Sequence, residues 1–190
     1  MRSFKGVKKN KGMTYVELIV VLSIFSVMTS IVLFNYKGFE DKVNIKVLAN
    51  DIALKIVEAQ KASVSGKLPA SPTPGWKPSY GVYFDSSPDI DTTDNVAFNK
   101  KFIYFANLGD ASDDVYNSGE ELDTIKITKN NFIKDLKCSG MSSGRVDIVF
   151  RRPDSRALSC PGDVEIIVSS PGDKATAKIT VSPSGRIQIN

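Results

Sequence analysis

The sequence predicts an α+β protein in which one long N-terminal helix packs on an antiparallel β-sheet domain. Three features of the 190-residue chain support this prediction: an apolar run near the N-terminus, an amphipathic repeat directly after it, and short strand-like segments in the remainder. They divide the chain into a basic segment at residues 1–12, an apolar helix at 13–36, an amphipathic helix at 37–66 and a β-rich head at 67–190.

The apolar run extends from Met13 to Tyr36, and its only charged residue is Glu17. A helix rises about 1.5 Å per residue, so a run of this length crosses a hydrocarbon layer of about 30 Å. The run therefore predicts a single membrane-spanning helix. A secretory signal peptide is the alternative, but the run is longer than such a signal needs and it begins with an acid.

Basic residues precede this helix with no acid among them, and they predict its orientation. By the positive-inside rule, the N-terminus stays in the cytoplasm and the residues after Lys37 lie outside it. These residues carry more positive charge than the formal net charge of the whole chain, which is +4. The net charge is therefore weak evidence for a polyanionic partner. The basic residues are Arg2, Lys5, Lys8, Lys9 and Lys11.

Glu17 is the residue in the apolar run that most needs an explanation. A charged residue at the bilayer centre costs about 2.5–3.5 kcal/mol on insertion scales, so Glu17 requires a partner or a place at the membrane interface. The surrounding string "KGMTYVELIVVLSIFSVMTSIVLFNY" resembles the leader and N-terminal helix of type IV pilins and type II secretion pseudopilins. Gly12, Thr14 and Glu17 match the family's motif, whereas Met13 stands where the family usually has phenylalanine.

The resemblance implies how the N-terminus is processed and used. A prepilin peptidase would remove the leader, residues 1–12, by cutting after Gly12, and Met13 would then be N-methylated. Glu17, with Thr14 beside it in the assembly motif, would pair with the N-terminal amine of a neighbouring subunit. Because an ion pair in low dielectric is favourable only when both partners are well placed, this pair would select the register of assembly.

The resemblance also implies a function and a location. It predicts a structural subunit, a pilin or pseudopilin, of a type IV pilus or type II secretion filament, with no enzymatic activity. The subunit would first be a single-pass protein of the inner membrane with a cytoplasmic N-terminus, and later part of an extracytoplasmic filament at the cell surface. Its predicted partners are other subunits, a prepilin peptidase, an inner-membrane assembly platform and an assembly ATPase.

The second half of the helix is predicted from apolar residues that recur at steps of three and four. Gly66, followed by Pro69, marks its end. The segment "LANDIALKIVEAQKASVSGKLP" is similar to the matching part of GspH/FimT-type pseudopilins. The predicted face consists of Ile45, Leu48, Ile52, Ile56, Ala59 and Lys61–Ala62, and the opposite face carries Lys42, Lys46, Asn50, Lys55 and Glu58.

Short strand-like segments with turn residues between them predict an antiparallel sheet in the head. The first is "YGVYF" (Tyr80 to Phe84), and the last is the hairpin "ITVSPSGRIQI", with Pro183, Ser184 and Gly185 as its turn. Between them lie "VAFNKKFIYFAN", "DTIKIT", "GRVDIVFRR" and "DVEIIVSS". The final strands again resemble those of the GspH/FimT group.

One acidic stretch, "NLGDASDDVYNSGEELDTI", has the spacing of an EF-hand-like calcium loop. Calcium takes six to eight oxygen ligands, which alternate residues closed by a bidentate glutamate can supply. Val115 replaces the glycine required at the sixth position and no helices flank the loop, so a solvated acidic turn is the alternative. The candidate ligands are Asp110, Ser112, Asp114, Tyr116, Ser118 and Glu121, and calcium is the only cofactor predicted.

Cys138 and Cys160 are the only cysteines, and glycine and proline turns flank them. In a domain outside the cytoplasm, an even pair predicts a disulfide. On the loop-entropy model this bond would stabilise the head by roughly 3 kcal/mol. Two free thiols are the alternative.

A binding module at the tip of a filament is the other function that the sequence suggests. Arginines in the C-terminal strands would contact DNA or another surface, although exposed charges that prevent edge association are the alternative. An enzyme is not predicted, because the chain has no histidine and pairs no nucleophile with a base at recognisable spacing. The arginines are Arg145, Arg151, Arg152, Arg156 and Arg186.

Overall fold

The computed structural model describes residues 12–67, 79–107, 115–152, 157 and 160–190. In these residues the chain forms one long helix, nine β-strands and two short 3₁₀ helices, Phe98–Lys100 and Pro171–Asp173. The long helix is α1 (Tyr15–Ser65), and the strands are β1 (Tyr80–Asp85), β2 (Lys101–Ala106), β3 (Glu121–Lys126), β4 (Phe132–Cys138), β5 (Met141–Ser143), β6 (Arg145–Phe150), β7 (Val164–Ser169), β8 (Thr176–Val181) and β9 (Ile187–Ile189).

Helix α1 contributes to both compact units of the chain, Met1–Phe39 and Glu40–Asn190. It ends where the sequence predicts, because Gly66 adopts a left-handed backbone with φ of 64°. The N–H of Gly66 donates to the carbonyl of Ser63, and the N–H of Lys67 donates to that of Ala62, both at 3.1 Å. This pair of bonds is a Schellman motif, which glycine favours because it has no Cβ to clash in that conformation.

The first sheet is antiparallel, with the strand order β3-β2-β1-β6. Val82 on β1 lies opposite Tyr104 on β2 and Ile148 on β6, and all three are buried. Since successive side chains of a strand point to opposite faces, this register places alternate residues of the three strands on the face that meets α1. That inner face joins the main hydrophobic core.

The second sheet is also antiparallel, with the order β5-β4-β7-β8-β9, so the single predicted sheet is in fact two. Strand β4, between β5 and β7, is not among the predicted strands. A register shift between Ile133 and Asp135 interrupts its pairing with β7, and such a bulge breaks the apolar alternation by which strands are recognised. The predicted C-terminal hairpin is present as β8 and β9.

The main core lies between the second half of α1 and the inner faces of both sheets. Every apolar residue of the predicted helix face is buried, which confirms the face for these residues, whereas Lys61, predicted to lie on it, is exposed. Ser63 belongs to the same face, and its hydroxyl donates to the carbonyl of Phe150 at 2.8 Å. The buried helix residues are Ile45, Leu48, Ala49, Ile52, Ile56, Ala59, Ala62 and Ser63.

A second, smaller apolar cluster lies on the outer face of the first sheet. It consists of Tyr83, Ile103, Phe105 and Val149, all buried, and Tyr116 packs against it. Residues on a solvent-facing side of a sheet are usually polar, so this cluster requires a cover. Tyr116, from the segment before β3, supplies part of it.

Candidate functional site

The N-terminus of α1 carries a capping interaction between the two predicted assembly residues. The N–H of Glu17 donates to the side-chain oxygen of Thr14 at 3.3 Å, and the N–H of Leu18 donates to the carbonyl of Thr14 at 3.1 Å. Thr14 is therefore the N-cap and Glu17 the third helical residue, as in a capping box. The carboxylate of Glu17 also lies in the first turn, where the helix dipole favours negative charge.

This geometry gives Thr14 and Glu17 a role within their own chain. Our sequence reasoning missed it, although the T-x-x-E spacing before an apolar run is a recognised signal for a helix start. Whether Glu17 also contacts a second subunit stays a prediction. Gly12 and Met13 precede the helix in exposed, non-helical backbone, and the rest of the predicted leader lies outside the described residues.

The apolar half of α1 is exposed on all sides of the helix. Large side chains from Tyr15 to Leu33 are about half exposed or more. The helix is long and apolar enough to cross a membrane, and none of the residues that the structure describes buries its most apolar stretch. An apolar surface of this size is normally covered by lipid or by another protein.

The hydroxyl groups within this half are compatible with an apolar environment. The Ser23 hydroxyl donates to the Val20 carbonyl at 2.8 Å, and the Thr29 hydroxyl donates to the Phe25 carbonyl at 2.8 Å. Ser30 bonds back to its own helix in the same way. Because each donor is satisfied by the helix itself, none requires water, and these residues do not oppose burial in lipid.

The predicted disulfide between Cys138 and Cys160 is present, with the two Cα atoms 5.9 Å apart. It joins the last residue of β4 to the segment before β7, and Ser139 next to it donates its N–H to the carbonyl of Asp163 at 3.0 Å. The bond therefore fixes one end of the second sheet. Disulfides persist in oxidising compartments, which agrees with a head outside the cytoplasm.

The predicted calcium loop is described only in part, because Asp110, Ser112 and Asp114 lie outside the described residues. Glu121 is engaged within the protein: its carboxylate accepts hydrogen bonds from the hydroxyl of Tyr116 and from the N–H of Gly119.

Nearby, the N–H of Tyr116 donates to Asp147 at 3.3 Å, and Ser118 lies in the turn that precedes β3. In the described ranges no group of three or more acidic or cysteine side chains is arranged to hold a metal ion. Calcium binding therefore stays a prediction that depends on the residues between 107 and 115.

The described arginines belong to both sheets. Arg145 begins β6 and bonds to Asp85 at 3.1 Å, whereas Arg151 and Arg152 follow the other end of the same strand. Arg186 lies in the hairpin of the second sheet, and Arg156 lies outside the described residues.

Arg152 has a clear structural role instead. Its guanidinium group lies against the Cα of Gly66, in the space that a Cβ atom would occupy. A cation at this position is favoured by the negative end of the helix dipole. Sequence spacing gives no sign of this contact, because the two residues are 86 positions apart along the chain.

The chain was compared with models of protein families, with curated proteins and with solved structures, and none of them matches it. The candidate site therefore stands on its geometry: a capped apolar helix, exposed on all sides, attached to a disulfide-bonded β-rich head.

Proposed function

We propose that this protein is a structural subunit of a type IV pilus-like filament, either a pilus or a type II secretion pseudopilus. The observation that carries the proposal is the apolar half of α1, which is exposed from Tyr15 to Leu33 and has Glu17 in its first turn. A helix of this kind can be held in a membrane and later be packed among identical helices, because both environments bury apolar surface.

The proposed path begins in the membrane. A prepilin peptidase cuts after Gly12, and the exposed position of Gly12 and Met13 before the helix leaves this bond accessible. The new amine at Met13 is then N-methylated, and an assembly platform with its ATPase moves the subunit from the membrane into the filament. The N-terminus remains cytoplasmic until that step, and the head is extracytoplasmic throughout.

Glu17 has two roles in this proposal. Within its own chain its backbone N–H donates to the Thr14 side chain and its carboxylate lies in the first turn of the helix, and between chains that carboxylate pairs with the amine of a neighbouring Met13. An unpaired carboxylate in apolar surroundings costs several kcal/mol, so a misplaced subunit would be rejected. The pair therefore favours one register of the growing filament.

The decisive experiment compares Glu17→Ala with Glu40→Ala in the native host, because Glu40 is an exposed acid on the same helix. We expect Glu17→Ala to be cleaved after Gly12 but to be strongly reduced in the sheared filament fraction. Glu40→Ala should be incorporated as the native chain is. Normal incorporation of Glu17→Ala would refute the proposed role of this carboxylate.

Mass spectrometry of the mature protein tests the pathway itself. A chain that begins at methylated Met13 is expected. A chain that keeps residues 1–12 would instead identify a simple membrane anchor. A DNA-binding tip subunit is a weaker proposal, because Arg145 lies at the other end of β6 from Arg151 and Arg152 and already bonds to Asp85. A salt-dependent DNA affinity lost in Arg151→Ala/Arg152→Ala would support it.

A further inference from the structure

A groove with a volume of about 890 Å³ lies on the outer face of the first sheet. This face is opposite the one that packs on α1, so the groove, which we call the outer groove, is not part of the apolar helix surface used for assembly. Protein clefts of about 300–1,000 Å³ commonly hold small ligands. The outer groove therefore has the size of a binding site.

The floor of the outer groove is aromatic. The rings of Tyr83 and Tyr116 are tilted against each other with centroids 4.8 Å apart, and Phe105 lies 5.4 Å from Tyr116. Phe105 is fully buried against Gly81, whose missing side chain leaves room for that ring. Tyr83 is only 8% exposed, so the half-buried Tyr116 that packs on it supplies most of the aromatic surface open to the groove.

One wall of the outer groove contains a buried cation that is already neutralised. Lys101 is only 4% exposed, and its Nζ atom lies 2.5 Å from Asp91 and 3.0 Å from Asp94. The hydrogen bond from Lys101 holds the pKa of Asp91 well below its usual range, with help from the Thr93 N–H. All three side chains therefore remain charged and paired at neutral pH.

The other charged groups of the outer groove also have protein partners. Arg145 donates to Asp85 at 3.1 Å, and Glu121 accepts from Tyr116 and from the Gly119 N–H. Lys126 also lines the groove and is exposed, with Asp94 3.7 Å away. A charged ligand would compete with these existing pairs, and separating a buried pair such as Lys101 and Asp91 is costly. The electrostatics therefore favour a ligand without net charge.

Exposed hydroxyl groups lie around the paired charges. Thr93, Ser118 and Thr124 all line the outer groove and are exposed. Hydroxyls both donate and accept hydrogen bonds, so they suit a ligand that presents hydroxyls of its own. An aromatic floor adds a surface for the C–H faces of such a ligand.

We propose that the outer groove binds a neutral oligosaccharide. Sugar rings combine apolar C–H faces, which fit the tyrosine floor, with hydroxyls, which fit the threonine and serine rim. Because the groove is open rather than enclosed, a chain of several rings can pass along it. The proposal concerns only the head and does not depend on filament assembly.

The test is isothermal titration calorimetry on the full chain in lipid nanodiscs, with empty nanodiscs as the blank. The probes are neutral hexasaccharides of glucose, mannose, galactose and N-acetylglucosamine, together with hexalysine and hexaglutamate as charged comparisons. We expect at least one neutral hexasaccharide to bind with little dependence on salt, and neither charged peptide to bind.

A matched pair of variants tests whether the hexasaccharide binds in the outer groove. Thr124→Arg places a large charged side chain in the outer groove, whereas Thr180→Arg makes the same change on an outward position of the second sheet. Thr124→Arg should weaken binding at least about tenfold, and Thr180→Arg should leave it unchanged. Ser118→Arg, at the opposite rim, should weaken it as well.

Three results would overturn the proposal: no neutral hexasaccharide binds at millimolar concentration, only a charged peptide binds, or binding survives both Thr124→Arg and Ser118→Arg. Thermal unfolding of each variant serves as the folding control. If one groove variant fails to fold, the other still decides the question.

Discussion

The two halves of helix α1 have the same backbone geometry but are stabilised differently. Between Tyr15 and Leu33 the apolar side chains are exposed on all sides, whereas Ile45, Ile52 and Ile56 in the second half are almost completely buried by the two sheets. Helical hydrogen bonds are the same in both halves, so they do not explain the difference. The second half is buried by the head of its own chain, whereas the first half is left exposed, and an apolar surface of this size is normally covered by lipid or by another protein.

If the proposed function is correct, this difference separates the residues that fold the head from those that assemble the filament. Substitutions in the second half should change the free energy of unfolding of the head and leave insertion of the apolar half intact. Substitutions in the first half should change membrane or filament association and leave the head folded. The expected effects below run from the largest to the smallest.

The largest effect is expected for Ile52→Ala. Ile52 is fully buried in the main core, and truncating such a residue typically destabilises a protein by about 2–5 kcal/mol. The matched control is Ile24→Ala, in the exposed half of α1, which should leave unfolding of the head unchanged. Denaturant unfolding followed by the single tryptophan or by circular dichroism measures both. If both variants lowered the free energy of unfolding of the head equally, the two halves of α1 would not differ in their contribution to its stability.

Loss of the disulfide should have the next largest effect. The double variant Cys138→Ser/Cys160→Ser frees the end of β4, and it should lower the free energy of unfolding of the head by roughly 3 kcal/mol. Amide exchange in the apolar half of α1 should not change, since the bond lies wholly in the head. An unaltered unfolding midpoint would show that the bond contributes nothing to stability.

A smaller, local effect is expected at the start of α1. Thr14→Ala removes the N-cap oxygen that accepts the N–H of Glu17, and loss of such a cap typically costs about 1 kcal/mol. Amide exchange of the first turn in detergent micelles should become faster, as hydrogen-exchange mass spectrometry can show. Thr29→Ala is the control, because its hydroxyl bonds back to Phe25 in the helix interior. Unchanged exchange at Glu17 and Leu18 would mean that the cap is dispensable.

The smallest effect is expected from acid, and it concerns the head alone. The hydrogen bond from Lys101, with that of the Thr93 N–H, lowers the pKa of Asp91 to about 2, against about 3.9 in an unfolded chain. A depressed carboxyl pKa contributes stability above the unfolded value, and this contribution is lost as the pH falls from about 4 towards about 2.

Unfolding measured across that pH range should therefore depend less on pH in Asp91→Asn than in the native protein. Asp51→Asn, at an exposed acid of α1, is the control and should keep the native dependence. The same pH dependence in Asp91→Asn as in the native chain would show that the Lys101 pair does not contribute.

Sequence patterns predicted the features that arise from neighbouring residues. Apolar steps of three and four identified the buried face of α1, and Gly66 identified its end, because both depend on the helix alone. The disulfide followed from an even pair of cysteines. Strand β4 was missed because its bulge after Ile133 interrupts the alternation, and the cap at Thr14 was missed although its spacing is visible in the sequence.

The sequence by itself determined that α1 has an apolar half and an amphipathic half, since composition and helical period are local properties. Only the tertiary structure decided that the strands form two sheets, that Arg152 lies against Gly66, and that Tyr116 covers the outer apolar cluster. These contacts join residues far apart in the chain. Many alternative pairings of the strands would be consistent with the same local sequence patterns. The packing of the whole head selects one of them, because that arrangement buries the apolar residues of both sheets and of α1 in one common core.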